Sequence, residues 1–161
     1  MNDRHPETGR DETERERIDR NLGEMLEELR VALPGVQVLF AFLLVVPFSQ
    51  GFVRVTDFQK TTYFVTLLFT AASAVCLIAP SAHHRLEFRQ KDKENIVRTG
   101  NRIMILGLGL LAVAMTGAVV VITDFLYSGT TVWVVGIALG LAFAVVWYAI
   151  PLRRLAAGKG G

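Results

Sequence analysis

The stretch "LIAPSAHHRLEFRQ", residues 77 to 90, gathers the side chains of this sequence best suited to chemistry. His83 and His84 stand side by side there and Glu87 follows. Imidazole and carboxylate together are the groups that hold a metal or pass a proton near neutral pH. On a helix adjacent residues point about 100° apart, so the two histidines diverge, whereas His83 and Glu87 share a face. That leaves fewer ligands than a zinc site needs, and no second His/Cys cluster supplies the rest. The histidines also end an apolar run, where the carbonyl end of a helix favours positive charge. An interfacial helix end is the leading reading and a proton-sensing site the alternative; no catalytic residue, metal or cofactor is assigned.

Gln37 belongs to the same candidate polar cluster, because it lies just inside the end of another apolar run. A buried glutamine needs partners, so it either reaches a histidine or a carbonyl freed near Pro80, or stands at headgroup level bonded to lipid or water. Motifs for other chemistry are missing. "GLGLLAVAMTG" contains glycines, but it lies inside an apolar run with no preceding strand and is no phosphate cradle.

The elements that must position these groups are unusually apolar. Of 161 residues 52% are hydrophobic, and mean hydropathy is +0.40. Four stretches, 31–53, 61–82, 103–123 and 125–152, carry no Asp, Glu, Lys or Arg. A helix needs about 20 residues to cross about 30 Å of hydrocarbon, and each stretch is long enough. Segments such as "FAFLLVVPF" lack the polar face of a soluble amphipathic helix, and barrel strands are shorter and alternate.

The sequence therefore predicts an all-α integral membrane four-helix protein, with spans at about 35–53, 61–81, 103–123 and 131–152 inside a domain of residues 34–152. Residues 1–14 are polar and expected to be disordered. Over 15–33, Ile18, Leu22, Met25, Leu26, Leu29 and Leu33 recur at helical spacing between charges, which predicts an amphipathic juxtamembrane helix. Pro34 and Gly35 mark a break after it, and residues 153–161 form a flexible tail. No signal peptide is expected, since the first apolar run starts late and lacks a short cleavable form. Cys76, the single cysteine, lies inside the second run and reads as a packing residue.

Charge sets the expected orientation. Lys and Arg number 6 before the first span, 2 in the first loop, 6 in the second, none in the third and 3 in the tail, a split of 15 against 2 between the two sides. The positive-inside rule then places both termini in the cytoplasm. The first 30 residues carry a net charge of −4 and residues 83–102 carry +3, so these segments can attract one another, or the basic loop can rest on anionic headgroups. Basic charge here reports topology, and no nucleic acid is expected.

Small residues recur at helical intervals in the last two spans: Ala114 and Ala118, then Gly136, Gly140 and Ala144. Gly136 and Gly140 form a GxxxG pair, which permits close helix packing within the third and fourth spans or across a homodimer. Trp133, Trp147 and Tyr148 occupy the ends of the fourth span, as aromatic residues at membrane interfaces do. No span holds an ionisable group at its centre; its polar groups are Thr66, Thr70, Ser73 and Thr116. That argues against a carboxylate-driven exchanger but leaves a hydroxyl-lined pore open.

At "ERIDRNLGEMLEELRVALPGVQVLFAFLLVVPF" and "APSAHHRLEFR" the chain resembles an uncharacterised family of small bacterial four-span membrane proteins, over about residues 14–152. Members of such a family are sometimes labelled automatically as sodium:proton antiporters. The resemblance implies a multi-pass protein of the bacterial inner membrane. The expected function is a non-enzymatic interaction, assembly or accessory subunit, forming a homo-oligomer or joining a membrane protein partner within the lipid bilayer. A small cation or proton transporter or channel formed by an oligomer is the alternative, and a metal-dependent membrane enzyme at His83, His84 and Glu87 the third.

Overall fold

The computed structural model describes residues 14–86, 93–127 and 129–157, and every regular element among them is helical. In chain order these are α1 (Glu14–Val45), α2 (Asp57–Leu86), α3 (Lys93–Leu126), α4 (Thr130–Phe143) and α5 (Ile150–Ala157). Two 3-10 turns, Val46–Phe48 and Gln50–Arg54, join α1 to α2, and a π-helical turn, Ala144–Ala149, joins α4 to α5. Four segments are long and apolar enough to cross a membrane: Leu26–Phe48, Asp57–Ala82, Thr99–Leu126 and Thr130–Arg153. Large side chains on them face outward, with Phe42 70% and Trp133 62% exposed. Soluble proteins avoid apolar surface on this scale, so the arrangement suggests a multi-pass membrane protein.

The break expected at Pro34 does not occur, because α1 runs through Pro34 and Gly35 without interruption. Proline removes one N–H and crowds the carbonyl four residues back, here Arg30, so something must hold the two halves in line. Leu29, Val36 and Leu43, seven residues apart, are buried as one seam along both halves. Leu29 and Val36 enter the same core cluster as Leu77 of α2 and Met104 and Leu111 of α3. Packing on a common neighbour keeps the helix continuous past its proline.

At its far end α1 stops at Val45, close to Pro47, which begins the first 3-10 turn. Ser49 closes that turn by donating its hydroxyl to the Val46 carbonyl at 2.7 Å. The chain then enters α2 through a reciprocal cap at "TDFQ". The Gln59 N–H donates to Thr56 Oγ1 at 3.2 Å, and the Thr56 N–H donates to Gln59 Oε1 at 3.1 Å. Two backbone donors that a helix start leaves open are satisfied at once.

α2 and α3 form the centre as an antiparallel pair. A Cβ added at Gly107 would lie 3.0 Å from Cys76 Cβ and from Leu77, and one at Gly117 would collide with Thr66 Oγ1. These approaches fall ten residues apart on each helix and in opposite order, which fixes the register along their shared length. Ser73, fully buried, donates across it to the Gly107 carbonyl at 2.8 Å. α1 packs on α2 and α3, whereas α4 packs along α3 and touches α2 only by a ring contact at its start, so α1 and α4 flank the pair without meeting among the described residues.

Candidate functional site

The one-sided attachment of α4 leaves a groove beside it. Its floor is α3, from Gly109 to Val120; its walls are α2, at Thr62, Val65, Thr66 and Phe69, and the end of α4, at Gly140 and Phe143. The space is about 470 Å³. Contacts hold the walls at both ends. At one end the rings of Phe58 and Trp133 lie 6.1 Å apart, and a Cβ at Gly136 would come 2.8 Å from Val120 Cγ2. At the other, Tyr148 reaches from the π-helical turn to α3 and donates to the Ile105 carbonyl at 3.1 Å.

Tyr148 is accommodated because α3 carries no side chain beneath it: a Cβ on Gly109 would lie 2.9 Å from the Tyr148 hydroxyl oxygen. A π-helical turn inserts an extra residue into the helical repeat and re-aims the side chains on it. Pro151, just past the turn, has no N–H to close an ordinary helical bond to Trp147. On the far side of Tyr148 lies a second apolar space of about 500 Å³, lined by Ile105, Leu108, Trp147, Pro151 and Leu152. Tyr148 thus lines both spaces and partitions them.

The groove's chemistry is set by where its hydroxyl protons go. Thr66 donates to the Thr62 carbonyl at 2.7 Å and Thr116 to the Ala112 carbonyl at 2.8 Å, each four residues back on its own helix. With Tyr148 given to Ile105, these three hydroxyls offer an occupant only oxygen lone pairs. Thr62 adds a fourth hydroxyl; the other lining residues are aliphatic, aromatic or glycine, and among the described residues no Asp, Glu, Lys, Arg or His lines the groove.

Two further polar contacts tie the helices beyond the groove. Gln59, buried, donates Nε2 to Asp124 Oδ2 of α3 at 2.9 Å while its Oε1 completes the α2 cap. Tyr63, also buried, donates to the Leu43 carbonyl of α1. Leu43 is four residues before Pro47, so its carbonyl lacks the usual helical donor and the tyrosine supplies one.

Of the side chains singled out in the sequence, Gln37 lies exposed on α1, beside buried Val36. His83 and His84 fall on the last turns of α2, but their side chains, like the whole of Glu87, lie outside the described residues. Among the described residues no group of three or more His, Cys, Asp or Glu is placed to hold a metal. The small residues divide between tasks. Ala114 is fully buried in α3, Ala118 is half-buried, and Gly136 packs on Val120. Gly140 has no atom within 4 Å of an added Cβ, and with Ala144 it borders the groove.

The closest α2–α3 approaches use Gly107 and Gly117, which sequence reading did not single out although both are small residues within the third apolar run. The cap at Thr56 and Gln59 was legible as a T-x-x-Q motif, and the Tyr63 contact had a partial sign in Pro47. Tyr148 had only its position near the end of a span, which reads as an interfacial aromatic and hides its turn toward α3.

A family model matches residues 11–151, a stretch that takes in the groove, its tyrosine partition and the apolar helices. The chain belongs to the DUF6328 family. DUF6328 is a family of unknown function, in line with the uncharacterised family that the sequence resembles. No curated protein and no solved structure matches the chain.

Proposed function

We propose that this DUF6328 protein is a non-enzymatic, multi-pass subunit of the bacterial inner membrane that acts by lateral interaction or assembly, with both termini cytoplasmic. The observation that carries this reading is that α4 packs along α3 and meets α2 only through the Phe58–Trp133 ring pair at its start. Val134, Ile137, Leu141 and Val145 follow one outward face of that segment, and the first three are about 60% exposed. In a bilayer water does not drive helices together, so a weakly attached helix gains stability by packing on another protein surface.

The test is cross-linking in native membranes from a Cys76→Ala background. Ile137→Cys and Leu141→Cys are expected to give a disulfide-linked dimer, while Ala114→Cys, in the buried interface, gives none. Monomer at every concentration, together with no cross-link to any neighbour, would overturn the reading. A second reading, an ion path formed by an oligomer, draws on the hydroxyl oxygens of Thr66 and Thr116 beside the groove. Flux of Na⁺, K⁺ or H⁺ in proteoliposomes that disappears in Thr66→Val would favour it over the first.

A further inference from the structure

We propose that the groove between α2 and α4 holds an acyl chain of an anionic phospholipid, whose phosphate is met by Arg102 and Arg153. The proposal rests on the membrane reading of the four spans and not on oligomer formation. The groove's dimensions suit an occupant thinner than a helix. From Gly109 to Val120 the floor runs eleven helical steps, roughly 16 Å at 1.5 Å each. Spread over that length, 470 Å³ gives a cross-section of roughly 30 Å². A helix about 10 Å across, with a cross-section of roughly 80 Å², could lie over this opening but not enter it. One extended hydrocarbon chain is thin enough.

The lining and the ends agree with such an occupant. Protons of Thr66, Thr116 and Tyr148 are already bound to carbonyls, so of the four lining hydroxyls only that of Thr62 is left to donate to a polar ligand. Apolar space left unfilled forfeits dispersion contacts along its walls, and in a bilayer the available filler is hydrocarbon. The contacts at Phe58–Trp133 and Tyr148–Ile105 keep the gap from closing on itself. Past Tyr148, the second apolar space gives room for the other chain of the same lipid.

Charge selects the headgroup. Arg102 precedes Ile105 by one turn of α3, and Arg153 follows Leu152, so both stand at the end of the second space away from the groove. Both are exposed, and neither has an ion-pair partner among the described residues. From Arg102 to Gly109 the rise is about 10 Å, inside the roughly 15 Å half-thickness of a bilayer's hydrocarbon, so a chain from that headgroup reaches the groove. A guanidinium pair favours phosphate with a net negative headgroup over a zwitterionic one.

Native mass spectrometry of the full-length protein, delipidated and then supplied with equal phosphatidylglycerol and phosphatidylcholine, reads both halves of the proposal. Wild type is expected to keep one phosphatidylglycerol in preference to phosphatidylcholine by on the order of tenfold, from two basic contacts. The double variant Arg102→Gln/Arg153→Gln, changed only at exposed positions, is expected to lose that preference while still holding lipid. Gly140→Leu places a side chain in the open groove and is expected to reduce retention of both lipids at least severalfold, with its thermal midpoint unchanged or raised. Equal retention of the two lipids by wild type overturns the headgroup assignment. Undiminished retention by folded Gly140→Leu overturns the groove as the chain's site, and should that variant fail to fold, an unaltered preference in the arginine variant overturns the proposal alone.

Discussion

The Tyr63 hydroxyl donates to the Leu43 carbonyl, the acceptor that Pro47 leaves without a helical donor. One residue of α2 thereby mends a bond that a proline of the preceding segment prevents, and α1 is tied to the central pair. Tyr63→Phe is expected to cost about 1 kcal/mol, the usual scale of an interhelical bond in a membrane. In Pro47→Ala, where an N–H can serve Leu43, the same substitution is expected to cost less. Unfolding in mixed micelles, run as a double-mutant cycle, checks the coupling; equal costs in both backgrounds would separate the tyrosine from the proline.

Gln59 serves two partners through two different atoms, closing the α2 cap with Oε1 and holding Asp124 with Nε2. Glutamate is as good a capping residue, yet its second oxygen would face a carboxylate. Gln59→Glu is therefore expected to destabilise by at least about 1.5 kcal/mol, the value of a bond to a charged group, before repulsion is added. Asp124→Asn in the same chain should recover most of that loss. A thermal-shift series on the two single variants and the double one decides it, and no recovery in the double variant would place the cost in the cap instead.

Glycines that look equivalent in sequence are expected to respond oppositely. Gly117→Ala drives a methyl into Thr66 Oγ1 and should cost about 1 to 3 kcal/mol, the range for overpacking, with Thr66→Ala relieving it. Gly140→Ala meets nothing within 4 Å and should fall within about 0.5 kcal/mol of wild type. Chemical unfolding of the three proteins provides the comparison, and a similar loss at both glycines would close the groove.

These contrasts show what could be read from the sequence. Charge-free stretches revealed four apolar helices, because length and composition suffice to recognise a span. Their ends shifted because proline has opposite effects by context: α1 passes Pro34, pinned by Leu29 and Val36, and stops near Pro47. Small residues drew attention to the third and fourth spans, yet the tightest approaches are Gly107 and Gly117 against α2. Which neighbour a glycine meets depends on helix rotation, and a helix that is apolar all round does not encode it in its sequence. The groove was invisible for the same reason, since it arises between helices that are far apart in sequence.

The 15 to 2 division of basic residues supplies a test of the proposed orientation. In a Cys76→Ala background, a cysteine at Asp57 is expected to react with an impermeant thiol reagent applied to intact cells from the periplasmic side. One at Lys91 is expected to react only after the membrane is opened. The reverse pattern would place the termini outside and remove the cytoplasmic assignment.

Gly109 and Tyr148 act as a single device, the glycine clearing the space through which the tyrosine reaches Ile105. Gly109→Ala should push the hydroxyl off that carbonyl, and Tyr148→Phe should remove the bond while leaving the ring in place. Each variant is expected to cost about 0.5 to 1.5 kcal/mol. The double variant should lose less than the two costs added, because the methyl on residue 109 no longer meets a hydroxyl. Steric-trap unfolding in bicelles measures all three against wild type. Full additivity would mean that the tyrosine's bond and the glycine's missing side chain stabilise the α3–α4 contact independently, and that the partition between the two apolar spaces does not depend on their fit.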